Sequence, residues 1–173
     1  MPEQETIERA RDDARQGKAP TTQAGEFIRE EMEHLREGKH GARSTKQAIA
    51  IGLSKARRAG VKLPPPSPGK ASAETRKKAL RDYQKGQSSS ARRPSLKRSR
   101  AISKVLKGES RQAASHTALS RQARASARKR TKAERSSAAR KAVRTKGSVG
   151  LRRAGRKAAR TRQVRLHARA ALG

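Results

Sequence analysis

The amino-acid sequence predicts a mainly α-helical chain: a small helical hairpin head followed by a long basic tail that is disordered, or helical only on binding. Three observations lead there. Charge is divided unevenly along the chain, large apolar residues are scarce, and those present fall at helical spacing between helix start and stop signals. Among 173 residues, Lys and Arg number 46 and Asp and Glu 14, a net +32. Residues 1–62 hold 13 basic and 10 acidic side chains, whereas residues 63–173 hold 33 and 4, so the two parts carry +3 and +29. Leu, Ile, Val and Phe together number 21, or 12% of the chain. Below about 20%, and with a high net charge, a chain lacks the apolar surface to offset its conformational entropy.

Residues 1–20 read as a weak helix and linker, with Ile7, Ala10 and Ala14 at helical spacing among alternating charges and little to bury. Residues 21–62 form the head. Thr21 and Thr22 after Pro20 signal a helix start, Ala24, Phe27, Ile28, Met32 and Leu35 share one face, and Gly38 is placed to end the helix in a left-handed cap. Glu26, Glu30, Glu33 and Glu37 recur on the opposite face as an acidic stripe, read as a solvated surface or a dock for a basic partner, the chain's own tail included. Ser44-Thr45-Lys46-Gln47 is an S-x-x-Q capping box that starts a second helix at Thr45. Its small-residue face, Ala48, Ile49, Gly52, Leu53, Ala56 and Ala59, is expected to pack on Phe27, Ile28 and Leu35. A hairpin this small commonly needs a partner, so Phe27, Ile28, Leu35, Ile49 and Leu53 are expected to form either its packing face or a dimer face.

Residues 63–69 form a Pro-rich spacer of polyproline II character. Residues 70–173 form the basic Ala/Ser/Lys/Arg-rich tail. Arg111-Gln112-Ala113-Ala114-Ser115 is echoed ten residues on from Arg121 to Ser126, a loose repeat that indicates constrained composition. Once helical, the tail would align Arg121, Arg124 and Arg128 on one face and Arg153, Arg156, Lys157 and Arg160 on another, with Arg140-Lys141 as a further basic pair. Rows of Arg and Lys suit a line of phosphates and require no particular base sequence.

Other chemistry finds little support in the sequence. There is no Cys, hence no disulfide and no thiolate zinc site. His34, His40, His116 and His167 read as surface or loop residues with no metal-ligand or triad spacing, so no catalytic residue, metal or cofactor is expected. One Phe and one Tyr are too few for the stacking platforms of single-strand binders. Gly38-Lys39-His40-Gly41 has the form of the G-x-x-G backbone clamp of KH domains, but no strand-like alternation flanks it. A plain helix stop is expected there, with Lys39 and Arg43 as candidate phosphate contacts. Arg92-Arg93-Pro94-Ser95 matches a basophilic kinase site by composition. The longest apolar run, Ala48 to Leu53, is far short of a membrane span.

Residues Glu26 to Leu63, above all the run from Ser44 to Ala56, resemble a family of small bacterial proteins built around a Lys-Gln-Ala-Ile-Ala-Ile-(Ala/Gly)-Leu signature. That family is a domain of unknown function, some of whose members are described as plasmid stabilisation proteins. The resemblance covers about a quarter of the chain and carries no catalytic residues with it. The tail is similar to basic extensions of longer members and, in composition only, to linker-histone tails. The expectation is a non-enzymatic cytoplasmic protein of the nucleoid that binds duplex DNA in preference to RNA, with no membrane and no small-molecule substrate. A homodimer or a protein partner is expected through the head. The alternatives are an RNA- or ribosome-associated basic protein, and a protein-interaction module whose tail only localises it.

Overall fold

The computed structural model describes residues 2–88 and 95–170, in which every regular element is a helix. Arg92, Arg93 and Pro94 of the kinase-like run lie outside the described residues. The helices are α1 (Gln4–Arg15), α2 (Pro20–Glu37), α3 (Thr45–Arg58), α4 (Ala73–Gln87), α5 (Leu96–Lys107), α6 (His116–Arg128) and α7 (Lys132–Ala170), with a short 3-10 helix at Arg111–Ala114. They divide into two compact units, Met1–Arg124 and Ala125–Gly173.

α2 starts at Pro20 after Ala19, without a side-chain cap from the threonines that the sequence points to, because the fixed φ of proline suits the first helical position; its stop and the start of α3 follow from the sequence with one variation. Gly38 closes α2 in the left-handed region, at φ 77°. Ser44 caps α3 by accepting a hydrogen bond from the Gln47 backbone N–H at 3.2 Å. The Gln47 side chain, however, accepts from the backbone N–H of Arg43, at 2.8 Å, and so fixes the residue before the cap. Early residues of α2 meet late residues of α3 and the reverse: Ala24 and Phe27 cluster with Ala56, and Met32 and Leu35 with Ala48. The two helices therefore run antiparallel. Gly52 lets them close up, since a Cβ there would stand 2.8 Å from Ile28 Cα and 3.0 Å from the Phe27 carbonyl oxygen.

This pair does not stand alone. The α1 segment, expected to bury little, packs on α2 with Thr6, Ala10 and Asp13 buried, and Arg9 Nε donates to Glu26 across the interface at 2.9 Å. On the other side α4 packs on α3, where Asp82 accepts from both Ser54 Oγ and Arg58 Nε at 2.7 Å. The Pro-rich segment is stitched down at its start. Val61 and Leu63 are buried with Phe27 and Ala56, and the buried Arg57 guanidinium donates to the carbonyls of Leu63 and Pro64. Burial lowers the pKa of that guanidinium, against partial support from Asp82.

The two copies of the loose repeat have different fates. In the first, Ala113 and Ala114 are buried against Leu35, Ala42 and Ala48, and the Thr45 hydroxyl donates to the Ala113 carbonyl at 2.7 Å. The second lies on α6, where Arg121 and Arg124 are exposed. Alanines with no flanking Arg fit a tight helix–helix crevice; an Arg in their midst does not. Where the sequence predicts a tail that is disordered or helical only on binding, the structure shows helices. The reason is local: Ala, Lys and Arg are among the strongest helix formers, and Ser72 and Thr131 supply N-terminal caps.

Three substitutions probe this packing by urea unfolding. Phe27→Ala should cost about 3–5 kcal/mol through transfer and cavity effects. Gly52→Val should cost about 1–3 kcal/mol by forcing α2 and α3 apart. Ser44→Ala should lose about 1 kcal/mol with the cap of α3.

Candidate nucleic-acid interface

From Ala125 to the end the chain carries seventeen Lys and Arg against one Glu. Thr131 and Glu134 start α7 with a reciprocal capping box: the Glu134 N–H donates to the Thr131 hydroxyl at 3.2 Å, and the Thr131 N–H to the Glu134 carboxylate at 2.9 Å. Gly147, at φ 64° and ψ 174°, interrupts the helix in a conformation that only glycine readily adopts. Arg140 and Lys141 precede the break, and Arg153, Arg156, Lys157 and Arg160 follow it at the i, i+3, i+4, i+7 spacing of one helix face. Arg121, Arg124 and Arg128 recur at i, i+3, i+7 on α6. All nine are exposed, and none is in an ion pair among the described residues.

The N-terminal cations are placed otherwise. Lys39 lies 3.0 Å from carboxylate oxygens of both Glu3 and Glu37, which raise its pKa. Arg43 is 80% exposed and 3.6 Å from Glu109. The G-x-x-G loop between them is closed to a ligand backbone. Gly41 and Ala42 donate their N–H groups to the carbonyls of Leu106 and Ser110, and a Cβ on Gly41 would collide with the Glu109 carbonyl. There is no strand among the described residues, so the KH-like reading fails on both counts.

The acidic stripe is solvated only in part. Glu26 pairs with Arg9 and Arg29, Glu33 approaches Arg29, and Glu37 pairs with Lys39. Glu30 is not solvated at all. Its side chain is 2% exposed, accepts from Lys55 Nζ at 3.1 Å, and takes the backbone N–H of Glu3 at 3.2 Å. Beside it Glu31, absent from the stripe, is fully buried, with Lys55 Nζ at 2.7 Å. Burial works against the Lys55 ammonium, but Glu31 and then Glu30 outweigh it, and its pKa stands above that of a free lysine.

His34, on α2, and His40, in the loop beyond it as expected, are half-buried and join this network. His34 Nε2 lies 2.8 Å from Glu3, whose carboxyl is held down to about 2 by His34 and Lys39. His40 Nε2 lies 3.1 Å from Glu31. The two rings meet edge to face with centroids 6.0 Å apart. Phe27 and Leu35 are fully covered within the chain, while Ile28, Ile49 and Leu53 are partly buried against the same two apolar clusters. The sequence signal for the buried network was Glu31-x-x-His34, a spacing that sets a carboxylate and an imidazole on one helix face.

Fold and charge together define a helical protein in which Arg9, Lys39 and Lys55 are engaged by carboxylates, whereas the nine cations named on α6 and α7 are exposed. Residues 21–66, which span α2, α3 and the start of the Pro-rich segment, match the model of a family described as "Family of unknown function (DUF6496)". Neither a curated protein nor a solved structure matches the chain. No helix among the described residues is long and apolar enough to cross a membrane.

Lys55→Met would strand Glu30 and Glu31 without their shared cation. The expected loss in urea unfolding at neutral pH is about 3 kcal/mol, the low end for breaking a buried pair, because Lys55 is itself 20% exposed. The double variant Lys55→Met/Glu31→Gln should recover more than half of that loss.

Proposed function

We propose that the protein is a non-enzymatic, sequence-nonspecific binder of duplex nucleic acid, with duplex DNA its main target and plasmid maintenance or nucleoid organisation its role. The observation that carries the reading is the contrast in cation placement. Seven exposed Arg and Lys at helical spacing on α6 and α7, with the exposed pair Arg140-Lys141, stand outside any ion pair of the described residues, while Lys39 and Lys55 are held by carboxylates. Unneutralised cations at such density attract a polyanion, and Arg binds phosphate oxygens in pairs. The lack of an aromatic platform favours a duplex over a single strand. The resemblance of the Ser44–Ala56 run to plasmid stabilisation proteins supports the maintenance role. In this reading residues 21–66, where the family match falls, would set the biological address through a partner of their own.

Fluorescence anisotropy of the full chain on a labelled duplex, across a salt series, tests this. If about a third of the cations beyond residue 62 meet phosphates, log K should fall against log salt with a slope of roughly −10. Replacing Arg121, Arg124 and Arg128 together by Gln should flatten the slope by about 2.7, at ~0.9 for each contact, whatever the duplex sequence. A chain that ignores duplex DNA at physiological salt would sink the proposal.

A further inference from the structure

Glu31 presents an unsolved electrostatic problem. It is fully buried, and neither of its carboxylate oxygens takes part in a hydrogen bond. Lys55 Nζ approaches Oε2 at 2.7 Å and His40 Nε2 approaches Oε1 at 3.1 Å, ion-pair distances without hydrogen-bond alignment. Lys55 cannot balance the site, because the same ammonium also serves Glu30 at 3.1 Å. Two buried carboxylates thus face one cation, and a buried charge left uncompensated is costly.

The neighbouring imidazoles are arranged to hold a second cation. One donor atom each from Glu31, His34 and His40 lies within 4.8 Å of the other two. His40 Nδ1 is 3.1 Å from the Gly41 carbonyl oxygen, which only accepts and so suits a proton on this nitrogen. Protonated at that nitrogen alone, the ring would turn its Nε2 lone pair toward Glu31 Oε1, and two lone pairs at that distance repel unless a cation joins them. A ligating imidazole that donates its other N–H to a carbonyl is the usual arrangement at metal sites. Two imidazole nitrogens and one carboxylate oxygen form a zinc-type donor set with a fourth position left over.

We propose that Glu31, His34 and His40 bind one divalent transition-metal ion, zinc by donor set, which clamps the loop between α2 and α3 onto the face of α2. Glu31 Oε1 turns to the metal while Oε2 stays on Lys55. Residue spacing explains the division of labour: Glu31 and His34 are one turn apart on α2, and His40 arrives from the loop beyond the Gly38 cap. The site uses no residue of the basic tail, so it stands or falls separately from nucleic-acid binding.

Chelator-treated, untagged full-length protein titrated with zinc chloride by calorimetry should take up one equivalent. Cobalt(II) chloride should give the visible bands of a tetrahedral ion. Glu31→Gln and His40→Gln should each weaken zinc binding by at least about tenfold, and His116→Gln should bind as the unaltered chain does. Since a change at buried Glu31 can cost the fold, the unaltered chain is also followed by histidine-ring 1H–15N correlation. Zinc should shift the ring nitrogens of His34 and His40 and leave His116 and His167 in place. Absence of zinc uptake, shifts confined to His116 or His167, or undiminished affinity in the folded variants would overturn the site. An imidazolium at His40 that persists at saturating zinc would do the same, assigning the second charge to a proton.

Discussion

A single ammonium group, that of Lys55, ties α1, α2 and α3 into one arrangement. It reaches from α3 to two adjacent carboxylates on α2, and those carboxylates reach on to the start of α1 and to the loop beyond α2. Apolar packing alone would leave the rotation of two short, alanine-rich helices poorly fixed, because small side chains interlock weakly. A charge that must be satisfied at one point is far more selective. Gly52 brings the backbones close, and the Lys55 contacts then decide which faces meet. The clusters around Phe27 and Leu35 supply the apolar stabilisation on that alignment.

What could be read in the sequence was what depends on local chemistry. The α3 cap at Ser44, the stop at Gly38 and the face Ala24-Phe27-Leu35 are each set by residues within one or two turns. Illegible were contacts made by residues far apart in the chain. Ala113 and Ala114 look like any other alanines, yet they fill the crevice beside Ala48 because Thr45 and Arg36 offer donors to their carbonyls. The burial of Glu30 is invisible in the stripe because helical periodicity locates a face without saying what covers it. Here the cover is α1 and Lys55, neither of which the periodicity of α2 can reveal. Among the proposed site residues, the spacing of the tail cations was visible directly, whereas Glu31 and His40 meet only through the fold.

The segment up to the end of α3 and the helices α6 and α7 embody opposite solutions to a high charge density. In the first, acids and bases alternate through space, so that Arg9, Lys18, Lys39, Lys55 and Arg58 each have a carboxylate close by. In the second, Ala is the spacer between cations, and repulsion is reduced only by distance and solvent screening. The first solution closes a surface; the second keeps it available.

The break at Gly147 bears on how such a surface could be used. An unbroken helix of the length of α7 would be a rod of about 58 Å, and a straight rod touches a cylinder along a short line of tangency. Curved polyanions are therefore poorly followed by long stiff helices, however many cations they carry. Dividing the rod at a residue without a side chain gives two shorter segments whose directions are set independently, each able to lie along its own stretch of a winding backbone. Contact length is then governed by a single joint, placed where the charge pattern itself pauses between Lys146 and Arg152.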